Sequence, residues 1–127
     1  MMNEYLLDSD VIIWILRGRE DTIQLIEKIK KEATPGCSVL SVFEIQAGMR
    51  RSEESKTNQF LDVLKAWDVN KEIAALAARY VREYRKKGKT LNPIDTMIAT
   101  TCVLNDLTLV TYNPKDYPIG ELSMFRF

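Results

Sequence analysis

The sequence predicts an α/β fold, a three-layer α/β/α sandwich with a mainly parallel central sheet. Three observations point to it. Short apolar runs alternate with longer stretches of helical periodicity. Each run is too brief for a helix, and Gly, Pro and Asn mark the boundaries between them. A chain of 127 residues, 46% hydrophobic, suits one compact domain spanning 1–127 with a sizeable core.

Taken in order, Tyr5-Leu6-Leu7 reads as a buried strand ending at Asp8. Asp10 to Leu16 follows as a short helix stopped near Gly18. Glu20 to Ala33 sets Ile23, Ile26 and Ile29 among charges, a surface helix closed by the turn Thr34-Pro35-Gly36. Cys37 to Leu40 is a second strand and Val42 to about Met49 a helix. Thr57, Phe60, Leu61 and Leu64 share one face of another helix, and Ala66 to Val69 forms a brief strand. Ile73, Leu76, Ala77, Tyr80, Val81 and Tyr84 keep the clearest helical spacing in the chain. Asn92-Pro93 opens a helix through Asn105, with Pro at its first position. Leu107 to Thr111 is a third clear strand and Leu122 to Phe127 a terminal one. Crossovers between parallel strands are right-handed, and such sheets bind ligands beyond their carboxyl ends.

Composition removes several chemistries. The chain has no histidine, so a Ser-His-Asp or Cys-His mechanism and a His-ligated zinc site are excluded. Carboxylates or a lysine must carry any catalysis. Cys37 and Cys102 each sit in an apolar run and read as buried small hydrophobes, compatible with a reducing compartment. Met1-Met2-Asn3-Glu4-Tyr5 offers no basic leader, so a cytoplasmic protein is expected, with no membrane association. Net charge is zero, yet Arg79, Arg82, Arg85, Lys86, Lys87 and Lys89 crowd one segment. That run reads as the solvated face of an amphipathic helix, and as an RNA contact only if a nuclease site stands independently.

Acidic residues gather where the topology places ligands. Asp8 and Asp10 follow the first strand, and Glu44 follows the second. Asp95 lies in the first turn of the Asn92-Pro93 helix, and Asn113 and Asp116 follow the third clear strand. Helix capping explains each singly. Ser41-x-x-Glu44 has the form of a capping box, Asn92-x-x-Asp95 is close to one, and Asp8, Ser9 or Asp10 suits the first helix. Capping does not require four segments to converge on one sheet edge. Convergent carboxylates repel unless a cation neutralises them, and hard ions such as Mg²⁺ or Mn²⁺ take oxygen ligands. Phosphodiester hydrolysis is the reaction such a site serves without histidine.

Four segments together resemble the motifs of PIN domains, in order over nearly the whole chain. They are Leu6-Leu7-Asp8-Ser9-Asp10-Val11-Ile12-Ile13, Ser38-Val39-Leu40-Ser41-Val42-Phe43-Glu44-Ile45, Asn92-Pro93-Ile94-Asp95-Thr96-Met97-Ile98-Ala99-Thr100-Thr101, and Leu109-Val110-Thr111-Tyr112-Asn113-Pro114-Lys115-Asp116-Tyr117. The length is typical of VapC toxins. The resemblance implies an endoribonuclease using Mg²⁺ or Mn²⁺, with Asp8, Glu44 and Asp95 as metal-site carboxylates. Asn113 stands where many members carry a fourth acid; it can supply an oxygen or orient a water, and Asp116 can supply the charge. A homodimer, a VapB-like antitoxin and a tRNA, rRNA or mRNA target are also implied.

Two other readings start from the same Asp8-Ser9-Asp10. A haloacid-dehalogenase-like phosphatase would use Asp8 as nucleophile and Asp10 as general acid, but needs a Gly-Asp motif this chain lacks. A phosphoacceptor receiver module would add Thr111 and Lys115, but needs an Asp where Ser41 and Glu44 fall.

Overall fold

The computed structural model describes residues 4–127; Met1 to Asn3, on which the expectation of no basic leader partly rests, lie outside them. β1 (Tyr5–Leu7) occupies the middle of a five-stranded sheet ordered β3-β2-β1-β4-β5, with β2 Gly36–Ser38, β3 Lys65–Trp67, β4 Thr108–Val110 and β5 Ser123–Met124. Every pairing is parallel. The helices are α1 (Ser9–Leu16), α2 (Glu20–Lys30), α3 (Val39–Gly48), α4 (Glu54–Val63), α5 (Lys71–Lys86) and α6 (Pro93–Asn105).

All three residues of β1 are buried because helices cover both sheet faces. Alternation along the strand divides them. Tyr5 and Leu7 pack with Val11, Ile12, Ile26 and Val110 under α1 and α2, while Leu6 packs with Tyr80, Ile98, Cys102 and Leu109 under α5 and α6. Each fully buried Leu or Ile contributes roughly 1.5–3 kcal/mol. Both cysteines are free and buried, as expected, and the basic residues of α5 are exposed.

Three sequence expectations change. Gly36 belongs to β2 rather than to the preceding turn, since a Cβ there would sit 2.7 Å from Trp67 Nε1 and 2.8 Å from the Lys65 carbonyl oxygen. The second strand ends at Ser38, and Val39-Leu40 already belong to α3. Ser41 is therefore no cap: Ser38 caps α3 by accepting from Leu40 N (3.1 Å), and Ser41 is fully buried inside the helix. A run of apolar residues cannot mark that boundary, because strand and helix are equally buried there.

Candidate active site

β1 and β4 deliver their carboxyl ends side by side. Asp8 N donates to Val110 O (2.9 Å), closing the last rung between them. The Asp8 side chain then caps α1, accepting from Ser9 N at 2.8 Å, as the sequence allows. Its other oxygen, Oδ2, accepts from Thr111 Oγ1 (2.8 Å) and from Tyr117 Oη (2.8 Å). Asp8 is buried with every polar atom answered.

Asp95 arrives from the opposite side, in the first turn of α6. Asn92 caps that helix, accepting from Asp95 N at 3.0 Å. Its carboxylate Oδ1 lies 3.4 Å from the same Tyr117 hydroxyl. One phenol thus spans Asp8 and Asp95. Burial raises the Asp95 pKa to about 6, with Asp8, Asp116 and Glu44 adding repulsion. Burial, followed by the negative charge of Asp8, holds the Tyr117 phenol well above its ordinary range, so it remains a donor.

Glu44 is exposed on α3, and Ser9 links it to the cluster. Ser9 Oγ donates toward Glu44 Oε1 (3.1 Å) and stands 2.8 Å from Ser41 Oγ. Asp116, at the end of the 3-10 turn Pro114–Asp116, makes itself felt on Asp95 through charge. Asn113 turns another way: its Nδ2 donates to Asp10 Oδ2 at 2.8 Å. Asp10 also accepts from Tyr112 N (3.0 Å) and Val11 N (2.7 Å). Burial, then Asp8, raises its pKa, and these hydrogen bonds oppose the rise. Asp10 so engaged is a tie between α1 and the segment after β4.

Asp8, Asp116 and Glu44 thus all act on Asp95 through charge, while Asn113 and Asp10 form a second group joined by a hydrogen bond. Among the described residues, no three acidic or cysteine side chains are gathered to hold an ion as they stand. The donor set nevertheless suits a hard divalent cation: it is all oxygen, and burial, with added repulsion from Asp8, Asp116 and Glu44, raises the Asp95 pKa. Sequence reading missed Tyr117, Thr111 and Ser9 as parts of the site. Their hydroxyls act across the fold, and only the placement of Tyr117 just after the acidic segment hints at it.

A family model for the PIN domain matches residues 5–117. The chain is a VapC-type member of the PIN-domain family. It is 31% identical over 116 residues to Ribonuclease VapC10 of Mycobacterium tuberculosis, covering 91% of this chain and 87% of that one. It is 30% identical to Ribonuclease VapC19 of the same species, over 90% and 92% of the two chains. Its fold superposes with a TM-score of 0.85 on a chain of the Rickettsia felis VapBC2 complex bound to a promoter DNA fragment, at 23% identity over 98% of both chains.

Proposed function

We propose that this PIN-domain protein is a divalent-metal-dependent endoribonuclease and the toxin of a type II toxin–antitoxin pair. One observation carries the reading most directly: Asp8 and Asp95, from β1 and α6, meet on the Tyr117 hydroxyl in a crevice that already raises Asp95 to about 6. Relatives named as ribonucleases support RNA as substrate, and a neighbour solved as a VapBC complex supports a VapB-like antitoxin. A homodimer and a cytoplasmic setting complete the reading; among the described residues no helix is long and apolar enough to cross a membrane.

Asp8, Glu44 and Asp95 would hold Mg²⁺ or Mn²⁺, with Asp116 contributing charge beside them. A bound ion of this kind lowers the pKa of water and neutralises charge on phosphoryl oxygens. The chain's own residues prepare that chemistry. Thr111 and Tyr117 fix the Asp8 carboxylate, so its orientation requires no rearrangement during reaction. Ser9 directs Glu44 toward the same crevice. A cation held by Asp95 would offset the neighbouring negative charge that, after burial, helps to raise its pKa. Asn113 keeps its amide oxygen for a water, its nitrogen being given to Asp10.

The test is cleavage of total cellular RNA by purified protein with Mn²⁺ and with EDTA, beside Asp95→Asn. Cleavage only by wild type with metal is expected. Cleavage in EDTA, or by Asp95→Asn at the wild-type rate, would overturn the reading.

A further inference from the structure

A second feature adjoins the carboxylates on the β4–β5 side. The chain beyond β5 continues alongside β4 toward the same carboxyl edge, with Phe125 N donating to Leu109 O at 2.8 Å. There Phe127 stacks on Tyr112, ring centroids 4.8 Å apart and planes within 18° of parallel. The Arg19 guanidinium lies 4.8 Å from the Tyr112 centroid and 5.1 Å from that of Trp14. Phe127 is 65% exposed and Trp14 38%. Arg19, Tyr112, Arg126 and Phe127 line an open cleft of about 760 Å³, and Thr111 forms part of its wall. Thr111 is also the residue that donates to Asp8, and Tyr112 N donates to Asp10. The cleft and the carboxylate crevice therefore share a wall.

Scattered exposed hydrophobics need no explanation. A stacked aromatic pair under a guanidinium is different, because flat π-faces with nearby cations are what unpaired nucleobases stack on. Charge points the same way. The crevice is acidic and repels phosphate, whereas its neighbour presents Arg19 and Arg126. Asp21, which also lines the cleft, holds Arg19 through two hydrogen bonds (2.7 and 3.1 Å), and Arg126, with no ion-pair partner among the described residues, supplies the unanswered charge. Arg126 gives a polyanion approaching the carboxylates a cationic contact on this side.

We infer that the Tyr112–Phe127 stack with Arg19 and Arg126 is a nucleobase-stacking subsite, holding an unpaired base of the RNA beside the phosphate to be cleaved. The inference rests on the ribonuclease reading and adds a preference for single-stranded over fully paired RNA at this position.

The test measures binding of a fluorescent single-stranded oligouridine and of an abasic ribose-phosphate oligomer of equal length, in EDTA so that neither is cut. Wild type, Phe127→Leu and Phe127→Trp are compared, with melting curves to show that each is folded. Phe127→Leu should bind oligouridine about tenfold more weakly, the effect of one lost base–aromatic stack, and the abasic oligomer unchanged. Phe127→Trp should bind both as wild type does. Equal binding of oligouridine by wild type and Phe127→Leu overturns the subsite, as does an equal loss on both oligomers. If RNA binding is untouched while Phe127→Leu weakens capture of the antitoxin, the cleft is a protein-docking surface instead, and the inference fails. Wild type that cleaves RNA while Phe127→Leu matches it on oligouridine refutes the subsite alone. Wild type that neither binds nor cleaves RNA refutes the ribonuclease reading together with it.

Discussion

Asp8 and Asp10 stand two residues apart, yet they serve different regions. Asp8 faces Asp95 and Tyr117; one of its oxygens caps α1 on the Ser9 N–H, and the other accepts only from the hydroxyls of Thr111 and Tyr117. Asp10 faces the segment after β4 and is answered by two backbone N–H groups and one amide. Backbone donors are fixed and make a carboxylate a structural fastener. Hydroxyl donors also hold a carboxylate in place, but they can turn to accept when its chemistry changes. An acid's chemical availability depends on what its donors can do when they are displaced.

The largest expected effect separates the two regions directly. Asp8→Asn and Asp95→Asn should each lower RNA cleavage by about 10²-fold or more, measured as initial rate per folded molecule. Asp10→Asn should lower it only a few-fold. A loss at Asp10 matching that at Asp8 would erase the distinction.

Stability should show the reverse order. Asp10→Ala strands Tyr112 N, Val11 N and Asn113 Nδ2, and the expected cost is about 2 kcal/mol, read from denaturant unfolding. Metal-free Asp95→Asn should unfold no more easily than wild type, because it removes repulsion.

The dependence on pH sharpens this further. Asp95 has a folded pKa of about 6 against an ordinary 3.8, so its protonated form favours the folded state. That stabilisation is full below about pH 3.8 and is lost as pH rises through about 6. With partial exposure discounted, it amounts to on the order of 1–2 kcal/mol. The Tm of metal-free wild type should therefore fall relative to Asp95→Asn by a few degrees between pH 4 and 7. Asp10 titrates in both proteins and cancels from the difference. Parallel curves would place Asp95 outside the repelling cluster.

The smallest effect concerns α5, remote from this contrast. Replacing Arg85, Lys86 and Lys87 with Ala should lower the slope of log binding against log salt by up to about 2 for RNA, as fewer counterions are released. An unchanged slope returns that helix face to a solvated surface.

Much of this was legible in the sequence, and the reasons differ by residue. β1, α5 and α6 were readable because local pattern and capping agree with tertiary burial: Tyr5-Leu6-Leu7 is apolar throughout, and Asn92-Pro93 starts a helix by both capping and geometry. The start of α3 was not, since Ser38 and Ser41 are equally good caps locally and only the pairing of Ser38 with Trp67 selects the first. Convergence of Asp8 and Asp95 followed from topology. The parts played by Tyr117 and Thr111 did not, because each meets Asp8 across more than a hundred residues of chain.

Asp8 also closes the β1–β4 ladder with its backbone and caps α1 with its side chain. A genetic selection for harmless variants of the toxin would therefore sample two kinds of survivor at a single codon. Most replacements there should yield little protein, since they uncap a helix and strand two buried hydroxyls. Ser, Thr and Asn can keep the cap, but only Asn also places a polar group where Thr111 and Tyr117 can rotate to accept from it. Survivors that remain abundant in the cell, as read by immunoblot, should be enriched in Asp8→Asn, while the rest should be silent through degradation.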